Sequence, residues 1–347
     1  MQYKLSQLVN YSNDKINSSL LTKLNYISTE NMLPNIGGII KSSNVPLNTN
    51  VCKFTKDNIL LSNIRPYFHK LYLSTFTGGC SNDVLCFKIT NPKIINPKYL
   101  YYAMSTKSFI NYVVSTSKGT KMPRGDKNAI LEYTLNVASI PQQLLIVDTV
   151  GSLDDKIENN NKIIIKLEEL LNLKFKNIYS DALKTGITIN LNDIVNLKTG
   201  KKDANAANEN GIYPFFTCSE KESNIDVYSF NQEAILIAGN GNMSVKYFNG
   251  KFDAYQRTYV ISSSKYFYYL YLYYKNFIGN ISVGAKGSVI KFLTKSMLLD
   301  IDLPILDNIT MQKFESDIQK ILNYELRLSE ENKKINLLKE NYLKRFF

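Results

Sequence analysis

Between Pro141 and Tyr179 apolar residues return at alternating steps of four and three: Ile146, Val150, Leu153 and Ile157, then Ile164, Leu167, Leu171 and Ile178. Asn160 and Lys174 fill the two positions where the rhythm asks for further apolar side chains. This is a heptad seam with two polar interruptions, and it predicts one long helix. Adding 171 to each number reaches a second helix at the C-terminus. There Ile321, Tyr324, Leu328, Ile335, Leu338 and Tyr342 occupy the seam, Glu331 and Arg345 fall at the matching breaks, and Asp317 opposite Ile146 is a mismatch. Asn161-Lys162 aligns with Asn332-Lys333. Such seams are buried against each other or against a partner's helices, and a polar position inside one costs stability but fixes register. Two unrelated amphipathic helices would explain either segment alone. The shared breaks, and what lies between the copies, argue for a duplication.

The first block, residues 1–139, opens with LSQLVNYSNDK (5–15) and continues through a polar stretch to Gly37-Gly38. FTKDNILLSNIRPYF (54–68) predicts strand, turn and strand, with Ile59, Leu60 and Leu61 as a buried run and Pro66 interrupting the next segment. GGCSNDVLCFKI (78–89) predicts another turn and strand. Pro97 suits the first position of a helix, which ends in the polar loop STSKGTKMPRGDKNAI (115–130). The second block repeats this order. LNDIVNLKTGK (191–201) matches at an offset of 186, FNQEAILIAGNGN (230–242) at 176, and KNFIGNISVGAKGS (275–288) at 168. Phe277-Ile278 then falls on Phe109-Ile110, and Lys286-Gly287 on Lys118-Gly119. Loop insertions between equivalent elements produce such a drift. The block runs to Leu303-Pro304, as the first runs to Ile140-Pro141. The expected organisation is block 1–139, helix 140–180, block 181–302 and helix 303–347.

A chain of 347 residues, 44% hydrophobic and 12% aromatic, can fill two ordinary cores. Cys52, Cys80, Cys86 and Cys218 have no CxxC spacing, so they read as reduced, mostly buried thiols of a cytoplasmic protein rather than a zinc site or disulfide framework. The start MQYKLSQLVNYS has no apolar signal core. No stretch approaches the roughly 20 apolar residues of a membrane span, so no membrane partner is expected.

The net charge of +12 is unevenly placed. Residues 1–139 carry sixteen basic and six acidic side chains, or +10, and residues 181–302 carry thirteen and eleven, or +2. The helices are near neutral: five and six over 140–180, eight and seven over 303–347. A basic excess on the blocks alone reads as a nucleic-acid footprint. A general bias toward Lys, Asn and Ile is the competing explanation.

Catalytic tools are scarce. His69 is the only histidine, and nothing nearby singles it out. Gly239-Asn240-Gly241-Asn242 follows a strand but leads into a second strand, MSVKYFNGKF, which favours a hairpin turn over a phosphate loop. Neither a P-loop nor GxGxxG occurs, nor the Asn/Asp-Pro-Pro-Tyr/Phe segment of amino-methyltransferases, nor an acidic cluster with Lys suited to a metal-dependent nuclease. No catalytic residue, metal or bound cofactor is therefore assigned. What remains suits DNA, where amides and guanidinium groups engage base edges and Lys and Arg neutralise phosphates. The basic loop with Lys118, Lys121 and Arg124 is the leading candidate, with Lys286 and Lys291 as its counterpart. Asn63 and Arg65 are paired with Asn240 and Asn242, and Gln256 and Arg257 follow the second hairpin.

These segments together resemble the specificity subunit of a type I DNA restriction–modification system, over essentially the whole chain. EAILIAGNGN…VKYFNGKFDAYQRTYVI (233–261) resembles the family's second-domain hairpin, and DNILLSNIRPYF with GGCSNDVLCFKI its first-domain version. The Pro-rich, Glu-Gln approach to each spacer helix is degraded here to IPQQLLIV and LPILDNITMQKF. The resemblance implies duplicated α/β (α+β) target-recognition domains joined by two long antiparallel coiled-coil helices with a pseudo-two-fold. It implies a non-catalytic subunit reading a split site in double-stranded DNA and docking two methyltransferase subunits that methylate adenine. S-adenosylmethionine would sit on those partners, and ATP with Mg on restriction subunits where these join. Leu167, Leu171, Leu338 and Tyr342 are the candidate docking residues. Helices of about 40 residues would span roughly 60 Å, holding two reading surfaces some tens of ångströms apart. A detached reader for a single-chain restriction–methyltransferase, and a coiled-coil adaptor that binds protein, are the alternatives. The target bases depend on loop geometry and are not legible in the sequence.

Overall fold

The computed structural model describes residues 1–241, 243–283 and 292–347. It divides into two compact units, Met1–Asn159 with Glu331–Phe347, and Asn160–Glu330. The two periodic segments form helices over Ile140–Thr185 and Asn308–Phe346. The second begins later than the periodicity suggests because Leu303 and Pro304 belong to a strand, Asp302–Pro304. Each unit therefore contains one block and a part of both helices. No helix among the described residues is long and apolar enough to cross a membrane.

In the first unit, strand Gln2–Lys4 pairs antiparallel with Thr134–Asn136, Tyr3 opposite Leu135. The chain then enters an antiparallel sheet whose order is Val9–Tyr11, Val84–Ile89, Ile59–Ser62 and Leu71–Leu73. A second sheet has the order Lys15–Asn17, Asn50–Phe54, Gly78–Cys80 and Tyr26–Ile27, the last pair parallel. The apolar run at 59–61 is explained by what covers each face. Ile59 and Leu61 join Phe87 in a core with the helices, whereas Leu60 joins Phe54, Cys80 and Cys86 on the other side. A strand covered on both faces reads as continuous apolar sequence rather than as alternation. Helix Pro97–Met104 is capped by Asn96, whose carboxamide oxygen accepts from the Lys98 and Tyr99 N–H groups. Tyr99, Tyr102, Phe109 and Ile110 bury against Ile146 and Val150 of the first long helix and Leu343 of the second. Asp154 accepts from the Tyr102 hydroxyl at 2.8 Å and pairs with Lys339. Lys156 pairs with Glu331, so within this unit the helix segments run antiparallel.

The second unit begins the same way. Strand Thr188–Asn190 pairs antiparallel with Asp302–Pro304, Ile189 opposite Leu303. Its sheet has six strands, in the order Val195–Thr199, Thr258–Ser263, Phe230–Ala238, Val245–Ala254, Tyr213–Phe216 and Ser223–Ile225. Ile235 and Ile237 face the helices, while Ala234 and Leu236 face Phe216 and Phe252. Tyrosines dominate helix Phe267–Val283. Tyr269 and Tyr274 are fully buried, and each hydroxyl donates to a main-chain carbonyl, of Pro304 at 2.8 Å and Leu298 at 2.6 Å. That satisfies the polar end of an otherwise apolar body.

The seams differ from the expected ones in phase. Ile146, Val150, Leu171 and Ile178 are buried as expected, and Phe175 fills the break expected at Lys174. On the second helix the buried stripe is Met311, Phe314, Ile318, Leu322, Leu328 and Leu343, while Tyr324 and Leu338 are 40% and 44% exposed. Most of this stripe, Met311 to Leu322, joins the tyrosine-rich helix in one core, so the block's packing as well as a helix–helix seam decides which face turns inward. Beyond Gln143 near the start of the first helix, the buried polar positions on the long helices are Asn160 and Asn332, where the expected partner of Asn160 was Glu331.

Candidate nucleic-acid interface

Strand Ile59–Ser62 ends at Asn63, and the 115–126 loop is laid against that end. The Asn63 N–H donates to the Asp83 carbonyl at 2.8 Å, and the Gly125 N–H donates to the Asn63 carbonyl at 3.1 Å. Ile64 bridges Arg124, and the Arg65 N–H donates to the Pro123 carbonyl at 2.8 Å. Lys118 and Arg124 exchange main-chain hydrogen bonds of 2.8 and 2.9 Å, so the loop is a small hairpin that turns through Gly119 at φ 96°. A positive φ of this kind favours glycine. Gly125 is needed for another reason: a Cβ there would lie 2.8 Å from Asn63 Oδ1.

This arrangement brings Asn63, Arg65, Lys118 and Arg124 together, with Lys121 exposed near the hairpin tip. The cations are not bare. Arg124 Nη2 lies 3.0 Å from Asp83 Oδ1, and Lys118 pairs with Asp126. The hydrogen bond from Lys118, aided by the Asn128 and Ala129 N–H groups that Asp126 caps, holds that carboxyl below its usual range. Arg124 with Asp83, in which both side chains stay open to solvent, is the kind of surface pair that contributes little. Asn63 sits inside the fold, 8% exposed, and its Oδ1 has no partner among the described residues. Arg65 is exposed and adopts the left-handed conformation at φ 48°.

The second unit carries the same hydrogen-bond frame. The Gly239 N–H donates to the Arg257 carbonyl at 2.8 Å, the Leu293 N–H donates to the Gly239 carbonyl at 2.8 Å, and Asn240 bridges Phe292. These bonds place Gly239 where Asn63 stands and Asn240 where Ile64 stands. Asn240 is thus one residue away from its pairing with Asn63, which set residue type against the offset of 176; that offset already aligns Asn63 with Gly239. Arg257 takes the place of Asp83, and Phe292 the place of Arg124. Gln256 and Arg257 are exposed in the turn before Thr258, with the Gln256 N–H donating to the Lys202 carbonyl at 3.0 Å. The Cys218 thiol donates to the Arg257 carbonyl at 3.5 Å. Asn242, Lys286 and Lys291 lie outside the described residues.

Sequence reading missed Asp83, Asp126 and Phe292. Asp83 lies in a turn that carries no motif, whereas Asp126 is the N-cap of helix Lys127–Leu131, a position that Asp favours. Phe292 was within reach, since continuing the offset of 168 from Lys118–Lys286 for six more residues pairs it with Arg124. Of the docking candidates, Leu171 belongs to the second unit's core, Leu167 is half-buried, Leu338 is exposed, and Tyr342 stacks on Phe346 with ring centroids 5.6 Å apart. His69 lines a cavity of about 800 Å³ with Thr106, Lys107 and Glu340, and burial pushes its imidazole pKa down.

Comparison with known proteins agrees with the duplicated frame. The type I restriction modification DNA specificity domain matches residues 2–169 and again residues 187–340. The specificity subunit of the type I restriction enzyme EcoDI of Escherichia coli is 42% identical over 122 residues, 34% of this chain and 27% of that protein. The MjaIX specificity subunit of Methanocaldococcus jannaschii is 24% identical over 289 residues, 70% of this chain and 66% of that protein. The chain thus spans about a quarter of the first relative and about two thirds of the second. The crystal structure of a type I restriction–modification S subunit from M. genitalium superposes with a TM-score of 0.66 at 16% identity, covering 100% of this chain and 96% of that one.

Proposed function

Because this chain belongs to the type I restriction–modification DNA specificity family, we propose that it is the non-catalytic subunit that reads a bipartite double-stranded DNA target for a DNA adenine methyltransferase. The observation that carries this reading is the repeated frame: one hydrogen-bond pattern at 63, 83 and 125 and again at 239, 257 and 293. A chain with two copies of one reading surface suits a target with two specified segments. Lys118, Lys121, Arg124 and Arg65 of the first unit, with Asn240, Asn242, Gln256, Arg257, Lys286 and Lys291 of the second, are the proposed DNA-facing residues. Asn63 would set the loop from within.

The long helices would dock two methyltransferase subunits through Leu167, Leu338 and Tyr342, with Leu171 acting from the core. S-adenosylmethionine belongs to those subunits in this scheme, and ATP with Mg to restriction subunits where they join. Half-sites centred about one DNA turn apart, roughly 34 Å, would present the same face to the two units. The test is methylome sequencing of cells with and without the gene. The expected motif has two short specified segments separated by a few unspecified base pairs. A short continuous motif would overturn the reading.

A further inference from the structure

The two copies of the frame differ in the residue held at the bridged loop position. In the first unit it holds Arg124, with its guanidinium beside Asp83. In the second it holds Phe292, 51% exposed, and the position of Asp83 is taken by Arg257. Both residues are fixed by the same bridge, Arg124 to Ile64 and Phe292 to Asn240, and both are followed by an N–H that donates to the strand end. A large aromatic ring half open to solvent beside a main-chain bridge contributes little to the core. It has a use where an apolar surface arrives from outside.

Resting on the reading above, we infer that Arg124 and Phe292 are homologous base-reading positions, Arg124 directed to a guanine in one half-site and Phe292 to a thymine methyl in the other. The chemistry of each residue leads to its base. A guanidinium donates two hydrogen bonds to guanine O6 and N7, and Asp83 keeps it extended and oriented until DNA displaces it. A phenyl ring makes no hydrogen bond to a base edge. The one feature of the major groove that it can recognise is the C5 methyl of thymine. Arg257, whose carbonyl accepts from Gly239, is exposed and pairs with no carboxylate among the described residues, so it can meet a phosphate. The two half-sites are therefore read by opposite chemistries from one scaffold position.

The test uses the assembled complex with its methyltransferase subunits and cognate duplexes in which single thymines are replaced by deoxyuridine, which removes only the methyl group. One substitution should weaken wild-type binding about four-fold, the equivalent of one buried methyl at about 0.8 kcal/mol. It should leave the Phe292→Ala complex unchanged and should still weaken the Phe292→Leu complex. Arg124→Lys should reduce discrimination at one G·C pair about ten- to hundred-fold, in the other half-site only. The assignment is overturned if no thymine shows a wild-type penalty, if the penalty persists in Phe292→Ala, or if both variants relax the same half-site. A wild-type complex with no sequence preference would instead overturn the reading on which the assignment rests.

Discussion

Gln143 and Glu315, on the two long helices, do the same work in the two units. Gln143 Oε1 accepts the Asn96 N–H at 2.8 Å, just ahead of helix Pro97–Met104. Glu315 accepts the Tyr268 and Tyr269 N–H groups at 3.0 and 2.7 Å, at the start of helix Phe267–Val283. In each case a spacer side chain satisfies donors that a helix start leaves open. Burial raises the Glu315 pKa, while its backbone hydrogen bonds oppose the rise. A carboxyl whose folded pKa lies above its unfolded value binds more protons in the folded state, so its contribution falls as pH rises through that range. Urea unfolding should show wild type losing stability relative to Glu315→Gln as pH is raised from the acid range to neutrality. Glu315→Ala should cost about 1–3 kcal/mol, the penalty for open buried donors.

The salt dependence of binding should follow the charge of the first block. Each phosphate contact contributes about −0.9 to the slope of log affinity against log salt. Removing Lys118, Lys121 and Arg124 together should flatten the slope by about 2 units with Arg124 on a base, and by about 3 only if all three contact phosphate; removing Lys286 and Lys291 should flatten it by no more than about 2. Equal slopes for wild type and the triple variant on the cognate duplex would assign the basic excess to composition.

Docking of the methyltransferase should depend on the exposed side of the helices. The double change Leu167→Asp and Leu338→Asp is expected to abolish co-purification, and Leu338→Asp alone, at the exposed position, to weaken it while leaving the circular dichroism melt close to wild type. Leu171 is the wrong residue for that experiment, since it is 1% exposed and its loss would report on folding. Survival of assembly and methylation in the double variant would move the docking surface elsewhere.

Thiol chemistry offers a footprint of the second unit. Cys52, Cys80 and Cys86 are buried, and Cys218 is half-exposed beside the Arg257 carbonyl. Hydrogen bonding with Cys52, and burial after it, push the Cys80 and Cys86 thiols up, while the same hydrogen bonds pull Cys52 down, so that burial is what shields Cys52 from the reagent. Iodoacetamide should therefore label Cys218 first, and cognate DNA should slow that labelling. Unchanged labelling would show that DNA does not cover the turn at Arg257.

The sequence made the long helices legible because a heptad rhythm survives any surroundings. It showed the duplication because Ile59–Leu61 and Ile235–Ile237 are each buried on both faces and keep their apolar runs. The phase of the second seam was not legible. It depends on a tyrosine-rich helix packing against Met311, Phe314 and Ile318, a tertiary fact that periodicity does not carry. The basic loop was visible as a run of cations, but its carboxylate partners were not, since Asp83 is 41 residues from Arg124 in the chain. Pairing Asn63 with Asn240 matched residue type, whereas the offset of 176 and the hydrogen bonds both put Gly239 there.

Each block starts and finishes in the same two-stranded ribbon, Gln2–Lys4 with Thr134–Asn136 and Thr188–Asn190 with Asp302–Pro304. Its two ends therefore leave side by side, closed by main-chain bonds that do not depend on what lies between them. Such a block is a cassette. On the proposed reading, a genetic crossover in the helix-coding segments would import a whole new reader without tearing a sheet, so that recognition would change in a single exchange.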